Sequence, residues 1–314
     1  MKNLAVVLLA ALLLSGCNEW FDRGQLENVG LILEGTIHDE TWGQGAYLGL
    51  LNIKEEENVS VLFRENIVGS RSTDEVVEDF DRQGVNLIFG HGSKFGAYFN
   101  DLNEYYPDIH FVYFNGNNFG RNITSLQFEG YEMGYFAGVM AGETTETDHL
   151  GILAAFPNQP EVEGFFEGVK SVDRSLKVTI KYVNDWYDQQ RAMMFFQQMV
   201  EQDVDVVYPA GDGFNVPIIH EASKLGIHAI GYINDQKEID PDTVITSTVQ
   251  DLENLYLDIA QKYDKNELPT GIMRIGFEDE FVYLGSYGDD VPVRVQDHVN
   301  ELIEKYIETG QLPK

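Results

Sequence analysis

Cysteine is nearly absent from this sequence of 314 residues, in which Cys17 is the only one. A single cysteine cannot form a disulfide within the chain, and it cannot supply a thiolate cluster for a metal. The seven histidines show no HExxH or HxH spacing and no pairing with cysteine. The sequence therefore predicts neither a metal site nor a cofactor.

Basic residues are also scarce, with 21 Lys and Arg against 52 Asp and Glu and a formal net charge of −31. A nucleic-acid-binding surface needs clustered Lys and Arg to neutralise phosphates, and no such cluster occurs. Direct nucleic-acid binding is therefore excluded, whereas uncharged or cationic small solutes remain plausible ligands. A second interpretation of the acidity is solubility in a saline or alkaline exterior.

Long apolar runs are missing as well. The longest, Leu4 to Leu14, has 11 residues, which is too short for the roughly 20 that a membrane-spanning helix needs. It follows Lys2 and ends in Leu14-Ser15-Gly16-Cys17, which resembles a bacterial lipobox. The resemblance predicts a signal peptide over 1–16, lipidation of Cys17, a tether over 17–27 and an anchor on the extracytoplasmic face of the cell membrane.

The remaining chain alternates short apolar runs with amphipathic helical segments, which predicts an α/β fold with parallel sheets. Three of the predicted strands recur in order at offsets near 120 residues. Residues 29–32, 85–89 and 109–114 are matched by 150–153, 204–208 and 227–232. This repetition predicts two Rossmann-like lobes, although chance similarity between βαβ units is an alternative.

We expect lobe one to comprise 28–146 plus about 247–268, and lobe two to comprise 147–246 plus about 269–314. Ligands of open α/β sheets bind beyond the carboxyl ends of the strands. Two lobes that face each other there would enclose a solute in a cleft and close on it by a hinge motion.

Two tryptophans follow predicted strands, Trp42 in lobe one and Trp186 in lobe two. One indole from each lobe could stack on the two faces of a flat ring, with each face contributing about 1 to 3 kcal/mol by analogy with base stacking. The alternative is that both are ordinary packing residues.

Polar residues follow other predicted strands. Gly90-His91-Gly92-Ser93 and Gly211-Asp212-Gly213 place glycines where the backbone approaches a partner closely. Asp235 follows the strand at 227–232, where a carboxylate can accept hydrogen bonds from two neighbouring sugar hydroxyls. An ordinary turn aspartate is the other interpretation of Asp235.

Signals for enzymatic activity are weak. The glycines at 43, 45 and 49 and at 90, 92 and 96 have GxGxxxG spacing instead of the dinucleotide-binding GxGxxG. Neither group has a Walker lysine, and no serine lies in a nucleophile elbow. The sequence therefore favours a binding protein without catalytic activity.

Several segments resemble the basic membrane protein (BMP) family, the nucleoside-binding lipoproteins of ABC importers. Asp39-Glu-Thr-Trp-Gly-Gln44 is similar to the family's Asp-x-Ser-Phe-Asn-Gln, and residues 128–138 are similar to its Phe-x-x-x-Glu-Gly stretch. Residues 211–213 and 230–236 stand where the family has a glycine-rich loop and Asp-x-Asp-Gln. A branch of regulatory lipoproteins that promote competence matches still better, at 90–93, 206–213, 215–217 and 246–250.

The resemblance implies the type I periplasmic-binding-protein architecture, a nucleoside-like ligand and an ABC permease as partner. It implies that Trp42 and Trp186 replace two base-stacking phenylalanines and that Asp235 keeps the ribose-binding carboxylate. With the polar residues above, the expected ligand-binding set is Asp39, Trp42, Gln44, His91, Ser93, Trp186, Gly211, Asp212, Asp235 and Gln250.

Three departures from the family pattern affect the expected site. Ile233 replaces an aspartate, Gly43 replaces an asparagine and Gln250 replaces a lysine. The leading expectation is a membrane-anchored binder of a purine-nucleoside-like solute for an ABC importer. The alternative is a surface lipoprotein that promotes competence gene expression indirectly.

Overall fold

The computed structural model describes residues 25–313. Cys17, the predicted signal peptide and most of the predicted tether lie outside the described residues. No helix within the described range combines the length and apolar character needed to cross a bilayer.

The described chain folds into two six-stranded sheets with helices between the strands. The strands of the first sheet are β1 (Asn28–Leu33), β2 (Ser60–Arg64), β3 (Leu87–His91), β4 (His110–Phe114), β5 (Ile123–Phe128) and β11 (Gly271–Ile275). Those of the second are β6 (His149–Ala154), β7 (Lys177–Tyr182), β8 (Val206–Ala210), β9 (His228–Ile233), β10 (Val244–Gln250) and β12 (Val282–Leu284). The first sheet has the strand order β11-β5-β4-β3-β1-β2, and the second has β12-β10-β9-β8-β6-β7.

The strand pairs are parallel except that β12 runs antiparallel to β10. The order β4-β3-β1-β2 in the first sheet recurs as β9-β8-β6-β7 in the second, and these include the strands predicted from the repeat. The predicted class, an α/β protein with two Rossmann-like lobes of type I periplasmic-binding-protein architecture, is confirmed.

The helices cover the faces of the sheets because their apolar sides need burial. Those that follow the strands of the first half are α1 (Trp42–Glu56), α2 (Ser70–Arg82), α3 (Phe95–Leu102) and α4 (Gly130–Thr144). Those of the second half are α5 (Pro160–Val172), α6 (Gln189–Val200), α7 (Asn215–Leu225), α8 (Leu252–Asp264) and α9 (Val293–Thr309). Helix α8 packs on α1, and α9 packs on α4.

Helices α4 and α5 approach each other more closely than side chains would allow. A Cβ on Gly138 of α4 would lie 2.2 Å from the Phe165 carbonyl oxygen, and one on Gly164 of α5 would lie 1.9 Å from the Tyr131 oxygen. The apolar α4 is buried along most of its length, so glycines let two backbones pack directly on each other.

Two elements differ from the lobe boundaries predicted at 28–146 and about 269–314. Helix α4, predicted in lobe one, packs on α5 and on β10 and β12 of the second sheet, because its apolar surface fits the glycine face of α5. Strand β11, predicted in lobe two, pairs with β5 and completes the edge of the first sheet. The other boundaries stay a prediction.

Candidate functional site

The carboxyl ends of the strands in both sheets meet at one place in the structure. Thr41 Oγ1 from the first lobe donates a hydrogen bond to the Asp212 carbonyl oxygen of the second, at 3.2 Å. Asn234 Nδ2 donates to the Glu40 carbonyl oxygen, also at 3.2 Å. The Tyr187 hydroxyl lies against Gly35, where an added Cβ would be 2.9 Å from its oxygen. The loops beyond the strands of both lobes therefore contact each other.

Trp42 is the first residue of α1 and lies half-buried on an aromatic wall of lobe one. Its ring stacks on His91 with centroids 4.1 Å apart and planes 24° apart. Phe114 and Phe128 contact the indole edge-on, with centroids at 5.5 and 6.1 Å. Aromatic packing on one face and along the edges holds this ring in a fixed orientation.

His91 supports this wall with both of its ring nitrogens. Nε2 lies 2.8 Å from the Trp42 carbonyl oxygen, and Nδ1 lies 2.9 Å from the Tyr256 hydroxyl. A carbonyl can only accept, so Nε2 carries the proton and the Tyr256 hydroxyl donates to Nδ1. Burial lowers the pKa of His91 to about 3, so the ring is neutral at physiological pH.

Trp186 lies half-buried beyond β7, with its ring edge-on to Phe156 at 5.4 Å. Its carbonyl oxygen accepts a hydrogen bond from Gly213 N at 2.9 Å. Asp212, the residue before Gly213, accepts the hydrogen bond from Thr41, the residue before Trp42. The chain at both tryptophans is therefore hydrogen-bonded to the same segment, Asp212–Gly213, and a ligand stacked between their rings stays a prediction.

A buried polar group stands beside this segment in lobe two. Glu161, in the first turn of α5, accepts hydrogen bonds at Oε1 from Gln159 Nε2 at 2.9 Å and from the Tyr232 hydroxyl at 3.1 Å. The same Gln159 amide also donates to the carbonyl oxygen of Ala210, the last residue of β8, at 3.1 Å. Burial raises the pKa of the Glu161 carboxyl.

Asp212 is only 8% exposed. Burial, together with the nearby Asp39 and Glu161 carboxylates, raises the pKa of its carboxyl well above the ordinary value. The loops that carry Asp212, Trp42 and Trp186 thus lie next to one another, and contact of these side chains with a ligand stays a prediction.

Three other predicted site residues have their polar groups engaged locally. The Asp39 carboxylate accepts hydrogen bonds from the backbone N–H groups of Thr41, Gly43 and Gln44 at 2.8 to 3.1 Å, which caps the start of α1. The Asp235 carboxylate accepts at Oδ2 from Ser286 N at 2.9 Å and at Oδ1 from Lys237 N at 3.3 Å, and the residue is exposed. For Asp39, Asp235 and His91, contact with a ligand stays a prediction.

The remaining predicted residues differ in burial. Gln44 and Ser93 are exposed, the first on α1 and the second beyond β3. Gly211 packs against the Phe214 ring, since an added Cβ would lie 2.1 Å from a ring atom. Gln250, at the end of β10, is 8% exposed, and its Oε1 has no hydrogen-bond partner among the described residues.

Sequence reasoning missed Glu161, Gln159, Tyr232 and Tyr256. Pro160-Glu161 is typical of the first turn of an exposed helix, where an acid compensates the helix dipole. Only the tertiary structure shows that this acid is buried beneath Tyr232. Tyr256 lies on α8, 165 residues after His91, so no local pattern links the two.

Comparisons with known proteins agree with this architecture. The Bmp family model, described as ABC transporter substrate-binding protein PnrA-like, matches residues 26–314. The transcriptional activator protein Med of Bacillus subtilis is 39% identical over 312 residues, which are 99% of this chain and 98% of Med. The crystal structure of a transcriptional activator of the comK gene from Bacillus halodurans superposes with a TM-score of 0.86 at 41% identity, covering 91% of this chain and 99% of that one.

A more distant relative is the ABC transporter nucleoside-binding protein BmpA of Lactococcus lactis subsp. cremoris. It is 25% identical over an alignment of 300 positions that covers 85% of each chain. With a family match over nearly the whole described chain, this protein belongs to the Bmp family of ABC transporter substrate-binding proteins.

Proposed function

We propose that this protein is a lipid-anchored solute-binding protein without catalytic activity that holds a purine-nucleoside-like ligand between Trp42 and Trp186 for an ABC importer. The observation that carries the proposal is that the chain at both tryptophans is hydrogen-bonded to one segment: the Thr41 hydroxyl contacts the Asp212 carbonyl oxygen, and the Trp186 carbonyl oxygen contacts Gly213 N. The nucleoside-binding relative from Lactococcus supports the choice of ligand. Cys17 would hold the protein on the extracytoplasmic face of the membrane.

Trp42 is suited to stacking because its own partners leave little freedom to the ring. His91 covers one face, so a ligand would use the other. An orientation fixed before binding reduces the conformational entropy that a ligand must offset. Each stacked face would contribute about 1 to 3 kcal/mol. Asp235 would accept hydrogen bonds from ribose hydroxyls, since the residue is exposed and each carboxylate oxygen, which accepts one backbone hydrogen bond, can accept more.

Titration calorimetry against adenosine, guanosine, inosine and uridine tests this function. We expect saturable heat with the purine nucleosides and a large loss of affinity in Trp42→Ala and Trp186→Ala. Tyr105→Ala is the matched control, because Tyr105 is an exposed aromatic outside the cleft loops. The absence of heat with every nucleoside at millimolar concentration would refute the ligand.

The identity to the two transcriptional activators favours a second function, indirect promotion of competence gene expression from the cell surface. A gene deletion scored for nucleoside uptake and for competence separates the two. Lost uptake with normal competence supports import, and normal uptake with lost competence supports regulation. A Trp42→Ala allele then shows whether the regulatory role needs the cleft.

A further inference from the structure

Asp212 is a buried carboxylate without a partner. Its backbone carbonyl accepts the hydrogen bond from Thr41, but neither side-chain oxygen accepts one from residues 25–313. At 8% exposure it lies on the turn between β8 and α7, in the segment that is hydrogen-bonded to Thr41 and to the Trp186 carbonyl oxygen. Burying an ionised group without a partner is costly, which is why the pKa of this carboxyl is raised, and a cation placed beside it would favour the ionised form.

The charges around Asp212 are of the same sign. Asp39 faces it from the loop before α1, and Glu161 faces it from the first turn of α5. The basic side chains of the neighbouring loops are already paired with acids of their own lobe. These pairs are Lys94 with Glu34, Arg191 with Asp188 and Lys237 with Asp289.

Gln250 gives a second, independent indication. It is 8% exposed, and its Oε1 acceptor is unpartnered within the described part of the chain. Alternate residues of a strand share a face, so Gln250 lies on the same face of β10 as Thr248, whose hydroxyl contacts the Tyr208 hydroxyl at 3.1 Å. Thr248 is paired with Tyr232 of β9, and the Tyr232 hydroxyl donates to Glu161. A buried donor at the start of α7, Asn215 Nδ2, is also left unpaired among the described residues.

We infer that the cleft selects a heteroaromatic cation, with the ring stacked on Trp42 and the positive charge balanced by Asp212. This inference rests on the proposed function and specifies the charge of its ligand. Tryptophan is the aromatic residue with the strongest attraction for cations, and a carboxylate provides a charge-assisted hydrogen bond to a protonated ring or amine. Beside a neutral nucleoside the Asp212 carboxyl keeps its raised pKa, whereas a cation favours the ionised form and is attracted to it.

Two methylated isomers of adenosine test the inference. At neutral pH 1-methyladenosine is a cation, whereas N6-methyladenosine has the same composition apart from that proton and is neutral. Calorimetry should show that the wild-type protein binds the cationic isomer at least about tenfold more tightly. Asp212→Asn, which keeps the shape and removes the charge, should abolish the preference.

Asp173→Asn is the control, because this exposed acid lies in the connection before β7, at the opposite end of the second sheet. It should keep the preference of the wild type. Equal binding of the two isomers, or a preference that survives Asp212→Asn, would overturn the inference. If neutral nucleosides still bind in that case, the proposed function stands. Binding of no nucleoside at all would overturn both. The isomer ratio in the wild type needs no variant, so misfolding of Asp212→Asn cannot obscure the result.

Discussion

The neutral, buried His91 should make the stability of this protein depend on pH. Its pKa falls from 6.5 to about 3 because burial disfavours the charged ring. The unfolded chain therefore binds a proton below about pH 6.5 that the folded chain does not bind until about pH 3. The His91 contribution is fully present above pH 6.5 and is lost as the pH falls towards 3. At pH 5 the loss is RT ln(1 + 10^1.5), or about 2 kcal/mol.

Replacement by glutamine isolates this contribution. His91→Gln cannot titrate, and its amide can donate to the Trp42 carbonyl and accept from the Tyr256 hydroxyl. Urea unfolding at about pH 8 and about pH 5 should show a free energy of unfolding that drops by about 2 kcal/mol more in the wild type than in the variant.

The difference between the two proteins is the required measure, because other groups also titrate. His110, whose pKa burial lowers to about 4, acts in the same direction in both proteins. Glu161 and Asp212, whose carboxyl pKa values are raised, act in the opposite direction in both. An equal pH dependence in wild type and His91→Gln would refute the assignment of a neutral, buried imidazole.

Three further substitutions test the packing and the site. Gly164→Ala should lower the free energy of unfolding by about 1 to 3 kcal/mol or more, because the new Cβ meets the backbone of α4. Glu163→Ala, at an exposed neighbouring position, should change this free energy little. Urea unfolding measures both variants. Trp42→Ala should weaken nucleoside binding by about 1 to 3 kcal/mol and Trp42→Phe by less, as measured by calorimetry. Tyr256→Phe should destabilise the fold by about 1 to 3 kcal/mol, since it leaves Nδ1 of buried His91 without a donor, and thermal unfolding measures the loss.

Each of these predictions has an outcome that contradicts it. Gly164→Ala with wild-type stability would mean that α4 and α5 are not in backbone contact. Unchanged affinity in Trp42→Ala would remove the indole from the binding site. A Tyr256→Phe variant as stable as the wild type would contradict the hydrogen bond to His91.

Much of the fold was predictable because its determinants are local. Buried parallel strands such as Val29–Leu33 appear as continuous apolar runs, and their repetition near 150 and 206 indicated the second lobe. The pairing of β11 with β5 was not predictable, since the sequence of a five-residue strand does not indicate which sheet edge it joins. Helix α4 likewise follows from a long-range fit to α5.

The site was predictable only in part. Positions after strands indicated Trp42, Trp186 and Asp212, which lie on loops that the structure links by hydrogen bonds. The same reasoning could not foresee that His91 uses both nitrogens inside lobe one, or that Asp39 caps α1. Both depend on where neighbouring backbone and side-chain groups lie after folding.

The central claim is that a nucleoside-like ligand lies between one indole from each lobe. A crystal structure of the protein with the tightest-binding nucleoside of the panel tests it most directly. The account predicts the base in van der Waals contact with both Trp42 and Trp186, with Asp212 at its edge. A ligand bound elsewhere, or bound in the cleft without contact to either indole, would contradict it.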